Sequence, residues 1–398
     1  MISLPTNKDE NWRYANLRPL AKARVDEVAA TPGTPINLPA PLPDYERWVF
    51  VDGQFAPALS KPAANTCAAL LDVGDAGEAF ALMLDTAIAS EGVDFALARI
   101  NAARGTRVLQ VVAPDGTSAN IEITFVATAA AAAGISYPRV QVHAGQNAQL
   151  RIVERHISAG GADSVVNAAF DLALRADSSV DHCRLQNLGD TASGFDTLIA
   201  HVGDRASYRL RTVTLGGLTS RSTLMVKLAG RAARCELTAA SIANGIQTHD
   251  IYADIEHAAA DTVTRELYRG IATDRGKLGF NGKIVVRESA PGSDSEQSLK
   301  TLLTGNGAEA SVRPQLEIYT DRVRAKHGAT TGKLDEQMLF YLLSRGIDRR
   351  TAQTLLQWAF IEDAISRLQC AQLRAEIEQL VAAQLNEVSV LEGLLGKP

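Results

Sequence analysis

Val108-Leu109-Gln110-Val111-Val112 and Ile121-Glu122-Ile123-Thr124-Phe125 place apolar and polar residues in near-alternation. A period of two is that of a strand with one face turned inward. From about Arg107 the pattern continues through Val140-Gln141-Val142, Leu150-Arg151-Ile152-Val153-Glu154 and Phe170-Asp171-Leu172-Ala173-Leu174. It goes on through Tyr208-Arg209-Leu210 and Leu224-Met225-Val226-Lys227-Leu228, and ends near Leu316-Glu317-Ile318-Tyr319. No strong helix-period segment interrupts it. Gly-x-x-Ala precedes a strand at Gly145–Ala148, Gly203–Ala206, Gly230–Ala233 and Gly305–Ala308. The starts are 58, 27 and 75 residues apart, close to whole multiples of a step of about 25–29 residues. This spacing predicts a coil of short strands that hides its inward residues by stacking coil on coil. Glycine then permits the sharp corner and alanine fits where corners stack. An ordinary β-sandwich is the alternative, although one sandwich domain rarely runs this long.

The flanks differ from this centre. Residues 1–104 read as mixed and partly helical, with Trp12, Tyr14 and Leu17 inside one or two helical turns. Pro32, Pro35, Pro39, Pro41 and Pro43 mark an extended linker over residues 31–43. Trp48-Val49-Phe50-Val51 reads as a strand and Asp52-Gly53 as a tight hairpin turn. Phe80, Leu84, Ala87 and Ile88 share a helical face. Beyond Gly332 the period becomes helical again. Asp335 is a good N-cap, Glu336 adds charge to the first turn, Leu339, Leu342 and Leu343 form an apolar face, and Gly346 ends the helix. A second helix carries Ala352, Leu355, Leu356, Ala359 and Phe360, and a third, from about Cys370, carries Leu373, Ile377, Leu380, Val381 and Val388. The fold expected is mainly β, a solenoid over residues 105–332 between a mixed N-terminal region and a helical domain over residues 333–398.

Composition narrows the function. The 398 residues are 46 % hydrophobic, enough for a large core, and 40 basic against 45 acidic residues leave a net charge of −5. That balance, with 5 % aromatics, offers nucleic acid neither a basic footprint nor stacking platforms. No run reaches the ~18 apolar residues of a membrane span, and Met1–Glu10 has no apolar core of a signal peptide. Cys67, Cys183, Cys235 and Cys370 form no C-x-x-C pair, which argues against a disulfide framework and suits a reducing cytoplasm.

Walker A, dinucleotide, H-E-x-x-H and G-x-S-x-G motifs are absent. His182-Cys183 puts two metal donors side by side, but strand neighbours face opposite ways. His249, Asp250 and His257 could line one face of a coil, and Glu154-Arg155-His156 reads as a surface charge ladder. His327 stands in Ala325-Lys326-His327-Gly328-Ala329-Thr330-Thr331-Gly332, read as a boundary loop between the last strand and the first C-terminal helix. Such a place exposes side chains, and a neutral imidazole suits iron or zinc. A histidine that hydrogen-bonds the turn is the alternative.

This stretch, with Arg313-Pro314-Gln315-Leu316-Glu317-Ile318-Tyr319 before it and Leu339-Phe340-Tyr341-Leu342-Leu343-Ser344-Arg345-Gly346-Ile347 after it, resembles the SufB/SufD family of iron–sulfur cluster assembly proteins. Leu215-Gly216-Gly217 with Ser220-Arg221, Tyr268-Arg269-Gly270 and Phe280-Asn281-Gly282-Lys283 agree, and Asp9-Glu10-Asn11-Trp12-Arg13-Tyr14 resembles the SufD branch. The resemblance implies a right-handed parallel β-helix and a non-catalytic scaffold beside SufB and the ATPase SufC. It implies no cofactor held tightly by the chain alone, and a transient iron–sulfur cluster or iron in the complex. It places SufC on the C-terminal helices, SufB against the β-helix, and His327 at the SufB interface. The SufD-type cysteine two residues before that histidine is here Ala325.

The strand from Leu316 to Tyr319, continuing to Val323, is then expected to pair with SufB by edge addition, with Leu316, Ile318 and Val323 in the interface. Without SufB the same edge is expected to form a two-fold homodimer. Trp358 and Phe360 are the aromatic candidates for docking SufC, with core packing the alternative for Phe360. The rival functions are a β-helical carbohydrate-active enzyme, for which no acidic cluster can be placed, and a homomeric structural solenoid.

Overall fold

The structure is a computed structural model and describes residues 4–28, 36–64, 66–72, 92–128, 134–160 and 163–385. Among these, two sheets of 11 and 10 strands face each other. Successive strands alternate between them: Val165–Leu174 lies in the first sheet, Ser179–Asn187 in the second, and Ser193–Val202 in the first again. Like strands of successive coils pair in parallel. Thr219 sits opposite Thr248 and Thr248 opposite Lys277, a step of 29 residues. The step shortens to 26 between Ser193 and Thr219 and lengthens to 32 between Lys277 and Glu309. The chain is a parallel β-helix, as the period-two pattern predicts.

Four of the corners are the Gly-x-x-Ala turns. The N–H groups of Ala148, Ala206, Ala233 and Ala308 donate to the carbonyls of Gly145, Gly203, Gly230 and Gly305 at 3.1–3.3 Å. Ala148, Ala206 and Ala233 are fully buried in the main core. Close approach between coils explains the glycine: a Cβ on Gly230 would lie 2.0 Å from the Asp204 nitrogen of the coil beneath.

The hairpin over Asp52-Gly53 forms as expected, and its first strand, Glu46–Val51, is drawn into the second sheet by parallel pairing with residues 121–126. Near the N-terminus a single 3-10 turn, Glu10–Trp12, precedes helix α1, Arg18–Lys22. Helix α2, Ala96–Arg104, packs on the first sheet, where the Asn101 amide donates to the carbonyls of Pro138 and Asn167. Phe80, Leu84, Ala87, Ile88 and Val388, like residues 31–35 of the proline-rich stretch, lie outside the described residues.

Helices α3 (Glu336–Ser344), α4 (Arg349–Ile365) and α5 (Ala371–Gln384) follow the last strand. Asp335 caps α3 by accepting from the N–H groups of Gln337 and Met338. Helices α4 and α5 lie on the outer face of the second sheet, sharing one apolar cluster with Val153, Cys183, Leu185, Val213, Leu215, Ile242 and Ile271. Ion pairs at the seam fix the register: Arg269 with Asp363 at 2.6 Å and Arg155 with Glu376 at 2.6 Å.

Three expectations are corrected here. The buried stripe of α4 runs through Ala352, Thr354, Trp358, Ile361 and Ile365, while Ala359 is exposed. That helix has apolar residues on more than one side, and the sheet selects the face that carries Trp358. Glu154-Arg155-His156 is no surface ladder: all three are buried. Glu154 and His156 point into the coil, and Arg155 points outward beneath α5. Leu316 and Val323 do not share a strand. Glu309–Ile318 closes the first sheet, Val323–Gly332 closes the second, and a corner at residues 319–322 separates them.

Candidate functional site

The last coil has no coil above it among the described residues. Glu309–Ile318 and Val323–Gly332 are the terminal strands of their sheets, so each leaves one edge of main-chain groups unpaired. The direction of these groups follows from the neighbouring bonds. The Tyr319 N–H donates to the Val286 carbonyl at 2.9 Å, and the Gly292 N–H donates to the Arg322 carbonyl at 2.6 Å. Peptide groups alternate along a strand, so the N–H groups of Ile318 and Val323 point away from the solenoid. Leu316 and Val323 are half-buried against the main core. Ile318 and Tyr319 are 41 % and 56 % exposed.

His327 lies within the strand Val323–Gly332, not in a boundary loop. The helical signal begins only at Asp335, and the glycines around His327 sit in extended backbone that pairs with Ser293–Leu303. Its partner is Gln297, and Ala325 faces Ser295. Ser293, Ser295, Gln297, Leu299 and Thr301 are buried while Glu296 and Lys300 are exposed. Val323, Ala325, His327, Ala329 and Thr331 therefore continue the inward-facing positions, but on a coil with no cover. His327 is exposed at the open rim. Ala325 offers no donor atom.

The other histidines singled out by the sequence lie elsewhere in the solenoid. His182 lies in the interior, with Nδ1 3.1 Å from the Tyr208 hydroxyl and Nε2 2.8 Å from Glu154. Cys183 faces outward into the cluster under the helices, so this pair does not converge. Burial works against ionising Glu154, but Arg184 and His156 outweigh it and hold the carboxyl well below the usual carboxylate range. His249 and His257 stand at opposite ends of the strand Thr248–His257, and Asp250, on the opposite face, pairs with Arg221. Among the described residues no three His, Cys, Asp or Glu side chains gather into a set that could hold a metal ion.

Residues far apart in sequence meet outside the rim. The Arg221 guanidinium lies 4.4 Å from the Trp12 ring, the Trp12 indole donates to Asp94 at 2.9 Å, and Asn281 donates to Asn11 at 3.3 Å. The N-terminal motif thus docks on the first sheet against two of the internal ones. Cys183 and Cys370 line one cavity with Tyr45 at the seam between sheet and helices, a pairing that their separation in sequence hides. Burial pushes the Cys183 thiol up to about 11. On the helical domain, Trp358 is buried and Phe360 half-buried, whereas Met338, Phe340 and Tyr341 of α3 are 50 %, 72 % and 51 % exposed.

Residues 125–360 match the family described as SUF system FeS cluster assembly, SufBD core domain. The chain belongs to this family. The match begins within the second strand of the opening pattern and runs through His327 to Phe360 in α4. Over most of its length the SufBD-family chain is also similar to curated proteins. It is 27 % identical to the iron-sulfur cluster assembly protein SufD of Escherichia coli K12, covering 96 % of this chain and 89 % of that one. It is 28 % identical to a SufBD family protein of Synechocystis, covering 96 % and 88 %. A SufBD family protein of Mycobacterium leprae is 32 % identical over 52 % of this chain and 54 % of its own. Among the described residues, no helix is long and apolar enough to cross a membrane.

Proposed function

We propose that this chain is a non-catalytic scaffold subunit of a cytoplasmic iron–sulfur cluster assembly complex. It pairs with SufB at the open end of its β-helix and carries the ATPase SufC on its C-terminal helices. The observation that carries the reading is the terminal coil. An exposed imidazole at an inward-facing position, an unpaired strand edge and the exposed Ile318 and Tyr319 share one end of the solenoid. A single imidazole supplies one bond to iron, so the remaining ligands to a nascent cluster would come from the partner across the seam. The cluster is cargo, built there and passed on. The family match and the SufD relatives support the chemistry of that cargo.

In α3 the exposed Met338, Phe340 and Tyr341 form the surface that best suits SufC. Without SufB, the free edge is open to a second copy of this chain as a two-fold homodimer.

The test is co-purification from native lysate with SufB and SufC, followed by iron and sulfide analysis of the wild-type and His327→Ala complexes. Retained partners with cluster content reduced severalfold in the variant are expected. Unchanged iron and sulfide in the His327→Ala complex would remove the histidine from the reading. Loss of neither partner on replacing the rim and α3 residues would remove the two docking assignments.

A further inference from the structure

The column of inward-facing positions that ends at His327 carries a polar device one coil below. Its last members are Glu266, Gln297 and His327, paired in register. Gln297 and Glu266 are each 2 % exposed. The Gln297 amide nitrogen donates both to Glu266, at 2.5 Å, and to the Gly282 carbonyl of the opposite sheet, at 3.0 Å. Two acceptors fix the orientation of the amide, because turning it over would set its oxygen against a carboxylate and a carbonyl. The amide oxygen is thereby committed to the other side. It is buried and has no hydrogen-bond partner.

A buried acceptor left unpaired destabilises the fold and favours any donor within reach. The next side chain on the column is the imidazole, about 4.8 Å away along the ladder at Cβ. Gly282 belongs to the same device: a Cβ there would lie 2.9 Å from the Gln297 amide nitrogen and 3.0 Å from the Glu266 carboxyl. The glycine of Phe280-Asn281-Gly282-Lys283 leaves the space in which the amide is held.

We infer that Gln297, oriented by Glu266 and the Gly282 carbonyl, is a positioning residue for His327. With the exposed imidazole turned inward, Gln297 Oε1, which has no partner in the structure, accepts the N–H of one ring nitrogen and leaves the lone pair of the other directed out of the open end. A ligating histidine is commonly held by such a bond from its second nitrogen, and here a neutral amide supplies it from inside the coil. The inference rests on the reading of His327 as a ligand, but it makes a claim about the free chain that can fail independently.

The experiment uses the full chain alone, 15N-labelled at histidine, at pH 8. Long-range 1H–15N correlation reports the tautomer, with His327→Ala identifying the signal. One tautomer in excess, by about tenfold or more, is expected in the wild type. Gln297→Met, which keeps the volume, is expected to return the ratio to that of free histidine, in which the Nε2–H form leads severalfold, and Glu266→Gln to preserve the wild-type preference because its amide oxygen still accepts from Gln297.

In the assembled complex, Gln297→Met should reduce cluster assembly by roughly tenfold, within the range for lost outer partners. A wild type with mixed tautomers, or a preference unmoved in Gln297→Met, overturns the inference. If Gln297→Met fails to fold, Gln297→Leu and the wild-type tautomer ratio decide instead. No effect of His327→Ala on assembly, with the tautomer shift present, would leave the hydrogen bond standing and sink the ligand role.

Discussion

Glu266 shows how the interior of this coil treats a titratable side chain. Burial pushes its carboxyl up to about 7, against the hydrogen bond from Gln297, which pulls it down. The folded chain therefore holds this proton between the ordinary value of 4.5 and about 7, where the unfolded chain has lost it. The stability that the proton contributes is complete below pH 4.5 and is lost as pH rises to 7, by about 3 kcal/mol. Glu266→Gln should abolish that loss, so the stability of the variant relative to the wild type, read from urea melts, should rise between pH 5 and pH 8. Equal pH dependence in both proteins would refute it. His249 and His257 act with the opposite sign, since burial pushes both down to about 4 and costs stability as pH falls from 6.5. Comparing wild type with Glu266→Gln cancels that acid limb.

The two terminal strands and α3 are the elements with unused surface. Ile318→Pro and Val323→Pro each remove an N–H that points away from the solenoid, so the bonds to the preceding coil survive. The double variant should keep its melting temperature within a few degrees yet lose self-association by light scattering and weaken SufB binding at least tenfold. Undiminished SufB binding would exclude strand addition. In α3, Phe340→Ala should weaken SufC binding by about 1–2 kcal/mol, as truncation of an exposed aromatic anchor does, with no change in the fold. Trp358→Ala should instead lower stability by about 3 kcal/mol, because Trp358 fills the cluster between helices and sheet. Calorimetry on the two variants separates docking from packing. If SufC binding falls with Trp358→Ala at full stability but not with Phe340→Ala, the assignment is reversed.

At the scale of the whole molecule the helical domain and the solenoid are one folding problem. Helices α4 and α5 cover apolar residues from several successive strands of the second sheet. Ending the chain at Gly332 uncovers that face together with Arg155, whose partner Glu376 leaves with α5. The truncated chain should aggregate or melt at least 10 °C lower, and intact solubility with an unchanged melt would show that the two parts are independent. For that reason a point change in α3 tests the proposed SufC site better than removal of the domain.

The strand-rich centre, the helical end and the Gly-x-x-Ala corners were legible because each follows from local chemistry. Period-two side chains make strands, capping residues start helices, and glycine marks a close approach. The strands from Arg234 to Leu303 were harder to read one by one, because their inward positions include Thr264, Glu266, Ser295 and Gln297, which blur the apolar alternation. The sequence also singled out His327 by its neighbours, but not its place in a strand, since glycine and threonine fit an extended edge as well as a loop.

Tertiary structure alone decided which face of α4 is buried, that Glu154 and His156 are interior, and that Gln297 stands beneath His327. Pairing register brings residues about 30 apart into contact. That register is fixed by the summed packing of every coil, so no single stretch of sequence carries it.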